Sequence, residues 1–171
     1  MRAIFLLRHA KSGSDPKLAD HDRPLARRGE KASRKLAVHL AEAGIRPALV
    51  LCSTAVRTRQ TLEGVKTSLG DDVDVWLDDA LYGAGARELL ERLRQLPPAV
   101  PSVMVIGHNP GLHDLALELV GGGDKDAVAR LNEKFPTGAL ATLLVPDRWK
   151  TLTRGSATLD ALVVPRELPA P

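Results

Sequence analysis

The sequence predicts an α/β protein, a three-layer α/β/α sandwich around a mainly parallel central sheet. Three observations carry that expectation. Short continuous apolar runs recur at residues 3–7, 48–52 and 102–107, and runs of this kind suit strands buried on both faces. Segments of helical periodicity separate them, so strand and helix alternate as in βαβ units with right-handed crossovers. The same three runs end in polar residues: Arg8-His9, Cys52-Ser53 and Gly107-His108. Open α/β sheets bind ligands at this carboxyl edge.

The elements follow in order. Residues 3–7 form the first strand, and residues 10–28 a long polar loop containing two prolines. A loop of that length inside a compact domain is usually functional. Ala32, Leu36, Leu40 and Ala43 recur at helical spacing, so a helix spans residues 29–43, stopped by Gly44 with Pro47 beyond. A strand at 48–52 leads to Ser53 or Thr54 as the cap of a helix running through Thr61 and Val65 to Leu69. Residues 73–77 alternate as a strand. Leu89, Leu90, Leu93 and Leu96 give one apolar face to a helix over 87–96, ended by Pro97 and Pro98. After the strand at 102–107, His108-Asn109-Pro110-Gly111 opens a helix that Gly121-Gly122-Gly123 stops. A charged helix-prone stretch at 125–134 precedes strands near 139–145 and 157–164, and residues 166–171 read as a loose tail.

At 171 residues the chain is expected to be a single domain, residues 1–171, with 44% apolar and 26% charged residues. Aromatics are scarce at 3%, so the core is expected to be aliphatic. The first apolar run is too short for a signal peptide, and no stretch approaches a membrane span. The single cysteine, Cys52, excludes an internal disulfide and fits a reducing, cytoplasmic setting. Residues 1–60 carry 13 Lys/Arg against 5 Asp/Glu, while the remainder is net acidic. A basic first third suits an anionic ligand. Nucleic acid is disfavoured, because the cations are not interleaved with aromatics and no nucleic-acid motif is present.

The convergent edge suggests a mechanism. Arg8 and Arg57 can clamp a phosphate by charge-assisted hydrogen bonds. His9 can act as a nucleophile toward phosphorus, and His108, if cationic, can stabilise charge that develops on the phosphoryl oxygens. Helix N-termini after Ser53 and Asn109 would add N–H donors. Such positioning and charge stabilisation are most of what phosphoryl transfer requires, so neither a metal nor another cofactor is expected.

These residues also carry a family resemblance. Arg8-His9 at a strand end, Arg57 within Ser-Thr-Ala-Val-Arg-Thr-Arg-Gln-Thr, and Gly107-His108-Asn109-Pro110 resemble the histidine phosphatase (phosphoglycerate mutase-like) superfamily. Arg8-His9-Ala10-Lys11-Ser12, Arg23-Pro24-Leu25, Arg28-Gly29, Leu81-Tyr82 and Phe135-Pro136-Thr137 resemble its short bacterial SixA-type phosphohistidine phosphatases. The resemblance runs from residue 4 to about residue 145. It implies a phosphoglycerate mutase-like fold and a phosphoenzyme on His9. Arg8, Arg57 and His108 would complete the pocket, with Asn109 and Ser12 binding substrate. Two positions depart from the family pattern. Ala10 replaces a common glycine, and Ala80 stands where many relatives carry an acid. The proton donor is open between Asp79, one position away, and Asp15, Asp20 and Asp22 of the long loop.

Other motifs are weaker. Cys52 and Arg57 are separated by four residues, one short of the cysteine-phosphatase spacing. Gly121-Gly122-Gly123 lacks the Lys-Ser/Thr of a P-loop, and His108 and His113 miss the i, i+4 metal spacing. His39 and His21 are read as a helix-borne and a loop-borne surface histidine. The expected function is therefore a metal-independent phosphohydrolase working through phosphohistidine, on a phosphohistidine protein. The alternatives are a small-molecule phosphomonoesterase and a non-catalytic module that binds phosphate or phosphopeptide. The sequence leaves the oligomeric state open.

Overall fold

The computed structural model describes residues 1–146 and 148–171. Seven strands form one sheet in the order β3-β2-β4-β1-β6-β7-β5. They are β1 (Arg2–Arg8), β2 (Leu49–Ser53), β3 (Asp74–Asp78), β4 (Ser102–Gly107), β5 (Val120–Gly123), β6 (Leu140–Val145) and β7 (Ala157–Val163). Four of the neighbouring pairs are parallel; β6 runs antiparallel to both β1 and β7. The helices are α1 (Arg27–Glu42), α2 (Val56–Val65), α3 (Ala86–Arg94), α4 (Gly111–Leu119) and α5 (Lys125–Glu133).

Side-chain alternation along the strands divides the core into two layers. Phe5, Leu7, Val50, Cys52, Met104 and Ile106 pack with Leu36 and Leu40 of α1 and Leu62 and Val65 of α2. Ile4, Leu6, Leu49, Leu51, Val103 and Val105 face the opposite way, onto leucines of α3, α4 and α5. Both faces of the central strands are thus covered, which is why those runs are apolar without a break. The architecture is the expected α/β sandwich with a mainly parallel sheet.

Register brings the functional edge together. Arg8 lies opposite Gly107 in the β1–β4 ladder, and Cys52 lies opposite Ile106 in the β2–β4 ladder. The ladder closes with the His9 backbone N–H donating to the Gly107 carbonyl at 3.1 Å. His9, Ser53 and His108 consequently leave the sheet at the same level.

Some local expectations are corrected. Gly121-Gly122-Gly123 does not merely stop a helix; it belongs to edge strand β5, paired with β7. A Cβ at Gly121 would lie 2.2 Å from the Gly155 carbonyl oxygen, so glycine here permits a close backbone approach. Neither Ser53 nor Thr54 caps α2, whose N-cap is Ala55 with no side-chain hydrogen bond. The Ser53 hydroxyl meets His108 Nε2 instead, and the Thr54 hydroxyl donates to Asp79. The last residues carry structure: Pro165–Glu167 form a 3-10 turn, Leu168 packs against the core, and Glu167 pairs with Arg130 at 2.6 Å.

The long loop after β1 is pinned at its base. Ser12 bridges to Leu25, Gly13 donates to Pro24, and Ala26 donates to Lys11. The start of α1 lies against it, since a Cβ at Gly29 would meet the Lys11 carbonyl oxygen at 2.0 Å. Gly29 is therefore a packing requirement as well as part of a motif.

Candidate active site

Arg8, His9, Lys11, Ser12, Gly13, Ser14, Arg23, Arg57, His108, Asn109 and Thr137 line one cavity of about 380 Å³ at the carboxyl edge of the sheet. The structure thus brings together Arg8, His9, Arg57, His108, Asn109 and Ser12, as the sequence reading expected. Asp79 is not among the lining residues.

His9 is 7% exposed. Its Nδ1 lies 2.7 Å from the Ala10 carbonyl oxygen. A carbonyl only accepts, so Nδ1 carries the proton and Nε2 keeps its lone pair. Burial pushes the ring's pKa down to about 4, against the upward pull of the Ala10 bond and with help from Arg57, Arg8 and Arg23. The Ala10 amide is fixed in turn by Thr61 Oγ1 at 3.0 Å, and that hydroxyl donates to the Arg57 carbonyl at 2.7 Å. One hydrogen-bonded chain therefore ties the histidine loop to the first turn of α2, which carries Arg57.

The cations are held from behind. Arg8 Nη1 donates to the Phe135 carbonyl at 3.1 Å, and Asn109 Nδ2 donates to the same oxygen at 2.8 Å. Burial and the nearby Arg57 press the Arg8 pKa below its ordinary value. Arg57 is buried, and both its terminal nitrogens reach Asp20: Nη1 to the carbonyl oxygen at 2.7 Å, Nη2 to Oδ2 at 3.0 Å. Arg23 grips the other carboxylate oxygen through Nε and Nη2, and its Nη1 donates to Ser12 Oγ and the Gly13 carbonyl. The Tyr82 hydroxyl donates to Asp20 Oδ2 at 2.6 Å. Tyr82, Arg23 and Arg57 together hold the Asp20 carboxyl well below the usual carboxylate range. Asp20 is thus an ionised carboxylate held by the guanidinium groups of Arg23 and Arg57.

His108 makes a 2.8 Å hydrogen bond between Nε2 and Ser53 Oγ, and its ring lies 5.4 Å from that of His9. Burial, reinforced by Arg57 and His9, lowers its pKa to about 3 despite the opposing pull of Asp20. The sequence reading gives His108 a charge-stabilising part only if it is cationic; burial and the nearby cations favour the neutral ring in the unliganded site. Four polar atoms of the cluster are buried without a hydrogen-bond partner: Arg8 Nε, Arg57 Nε, His108 Nδ1 and Asn109 Oδ1. Leaving buried polar atoms unpaired is unfavourable, and such atoms collect where a ligand is expected.

Asp79 stands one shell out. It accepts a hydrogen bond from the Thr54 hydroxyl, which also meets His21 Nε2 at 3.0 Å, and His21 packs edge-on against Tyr82. Cys52 is buried in the core, and burial pushes its thiol up to about 12, which removes it as a nucleophile. His113 is used by the fold, meeting the Leu131 carbonyl at 2.6 Å. Among the described residues no three His, Cys, Asp or Glu side chains are grouped so as to hold a metal ion. None of the described helices is long and apolar enough to cross a membrane.

Sequence reasoning missed Arg23 as a pocket component and Ser53 as the hydrogen-bond partner of His108. Arg23 was visible only as part of a motif, and Ser53 was assigned to helix capping, a common role for serine after a strand.

Comparison with known proteins agrees with this geometry. Residues 4–85 match the model of the histidine phosphatase superfamily (branch 1). An uncharacterised protein of Mycobacterium tuberculosis is 39% identical over 164 residues, covering 94% of this chain and 100% of that relative. The structure of a Nakamurella multipartitia protein provisionally identified as the phosphohistidine phosphatase SixA superposes with a TM-score of 0.78 at 33% identity, covering 95% of each chain. The protein histidine phosphatase SixA in complex with tungstate gives a TM-score of 0.78 at 26% identity, over 96% of this chain and 98% of that one.

Proposed function

The chain belongs to the histidine phosphatase superfamily and is SixA-like in structure, and we propose that it is a phosphohydrolase whose nucleophile is Nε2 of His9 and whose preferred substrate is a phosphohistidine protein. The observation that carries the reading is the state of His9. Its proton is fixed on Nδ1 by the Ala10 carbonyl, its ring is neutral, and Arg8, Arg57 and His108 surround it. A neutral imidazole amid cations can attack an anionic phosphoryl group without first losing a proton. A relative's complex with tungstate, a tetrahedral oxyanion, supports phosphate as the ligand of this pocket.

In the proposed reaction Arg8 and Arg57 hold the phosphoryl oxygens, and Asp20 is displaced from Arg57 as the dianion enters. Attack forms an Nε2–P bond and breaks the bond from phosphorus to the leaving group, which departs with the electron pair. Negative charge from the substrate counters that of the arginines, so both histidines become more basic in the complex than in the free site. His108, still paired with Ser53, then donates to the charge growing on the equatorial oxygens. Water next attacks phosphorus; the P–N bond breaks, its electron pair returns to Nε2, and the water's proton leaves with phosphate or solvent.

The substrate class follows from the acids. Asp20 is ionised, and Asp79 lies outside the cavity lining. Expelling a serine alkoxide needs a positioned acid worth about 10²–10⁴-fold. An imidazole leaving group takes its proton from solvent near its own pKa of ~6.5 and departs neutral. A cytoplasmic setting belongs to the same proposal, supported by the free, buried Cys52.

The test compares kcat/KM on a phosphohistidine protein, an aryl phosphate and a phosphoserine peptide. The first two should exceed the third by at least about 10²-fold. Equal rates on all three, with one Asp→Asn variant abolishing the phosphoserine activity, would replace this reading with a general phosphomonoesterase.

A further inference from the structure

A second cavity, also of about 380 Å³, adjoins the phosphate pocket, with Lys11 and Thr137 lining both. Its walls carry six cations: Lys11, Arg28, Lys31, Lys35, Lys134 and Arg166. Arg28, Lys31 and Lys35 rise from one face of α1 with i, i+3, i+7 spacing. Lys11 comes from the loop after β1, Lys134 from the end of α5, and Arg166 from the 3-10 turn after β7. No carboxylate lines the groove, and none of the six cations makes an ion pair with a described residue. Lys134 and Arg166 also line an adjoining hollow with Glu133 and Glu167, of which Glu167 is paired with Arg130.

Six like charges at one surface repel one another in the free protein, and a bound anion would relieve that repulsion. The remaining lining is Ala32, Pro136, Thr137, Val164 and Pro165, with no aromatic ring on which a nucleobase could stack. The fit is to a chain of carboxylates with small apolar surface between them.

We propose that this groove docks an acidic segment flanking the phosphorylated residue of a protein substrate. The proposal rests on the hydrolase reading for the phosphate and adds the sequence context around it. Lys11 stands at the junction, so a segment entering the groove continues directly from the phosphate pocket. Docking of this kind acts on encounter and KM, is weakened by salt, and leaves the chemistry of a small substrate untouched.

Two phosphotyrosine peptides of equal length test it, one flanked by Glu and Asp, the other by Ser and Gly, alongside para-nitrophenyl phosphate. The variant is Lys31→Glu with Arg166→Glu, both exposed groove residues. Arg34→Glu with Arg154→Glu, both exposed but outside the groove, makes the same change in net charge and is the control. Wild type should favour the acidic peptide by about tenfold in kcat/KM, mostly through KM and less at high salt. The groove variant should lose that preference, the charge-matched control should keep it, and all three proteins should hydrolyse para-nitrophenyl phosphate alike. Equal turnover of both peptides by wild type, or the same loss in the control, overturns the groove while leaving the hydrolase intact.

If wild type hydrolyses none of the three compounds, the expected aryl phosphate activity fails, and fluorescence anisotropy with a labelled decaglutamate peptide judges the groove by itself. Binding weakened in the groove variant but not in the control upholds it. Equal binding by all three proteins, or stronger competition by a thymidine decamer than by unlabelled decaglutamate, overturns it.

Discussion

His9 should titrate far below an ordinary histidine. The perturbation is pH itself, applied to the unliganded protein, and the magnitude follows from the site. Burial of the ring is the main cause, Arg57, Arg8 and Arg23 add to it, and the Ala10 hydrogen bond opposes it. The result is a pKa of about 4. Against an unfolded-state value of ~6.5, that displacement corresponds to about 3 kcal/mol between the two protonation states. Between these values the unfolded chain binds the extra proton, so stability is fully present above pH ~6.5 and is lost as pH falls through the folded value. Nitrogen-15 NMR of the histidine rings measures the pKa and the tautomer together. His9 should remain neutral, with its proton on Nδ1, down to about pH 4. An Arg57→Gln variant should raise the pKa only partway, because burial persists. Titration near pH ~6.5, or a proton resident on Nε2, would refute the argument that the ring is held ready as a nucleophile.

Two further expectations concern the groups around it. Arg57→Lys should be nearly as damaging as Arg57→Ala, since lysine keeps the charge but loses the two-pronged grip now seen on Asp20. Aryl phosphate kinetics should show a loss of about 2–4 kcal/mol in transition-state stabilisation, and full activity would reduce Arg57 to a source of long-range field. Asp20→Asn should lower the inhibition constant of inorganic phosphate several-fold, by removing the carboxylate that competes for Arg57 and Arg23. The effect is modest because Asp20 is half exposed and such pairs contribute about 1 kcal/mol or less; weaker phosphate inhibition would mean that Asp20 orients the arginines instead of blocking them.

The parts of this protein that were legible in the sequence are those governed by local pattern. β4 occupies residues 102–107 as expected, because an unbroken apolar run has no other use in a short segment. Arg8, His9, Ser53 and His108 were placed at one edge by strand alternation alone, without knowledge of any distance. β5 was not legible: three glycines disfavour a strand, and the close approaches of Gly155 to Gly121 and of Leu159 to Gly123 arise only in the folded chain. The Asp20–Arg57 contact spans 37 positions and begins in a loop without periodicity, so nothing local separated Asp20 from Asp15, Asp22 or Asp79. The basic groove was hidden for a similar reason. Its α1 face follows helical spacing, but Lys11, Lys134 and Arg166 join it only once the chain is folded.

The central claim is that the phosphoryl group passes through His9, and trapping it is the most direct measurement. The protein is reacted with a phosphorus-32-labelled aryl phosphate, quenched in alkali within milliseconds and digested for peptide mapping. The account predicts a base-stable, acid-labile label on the peptide containing His9, absent from His9→Ala, which should also lack turnover. A label on another residue, or steady turnover by purified His9→Ala, would contradict it.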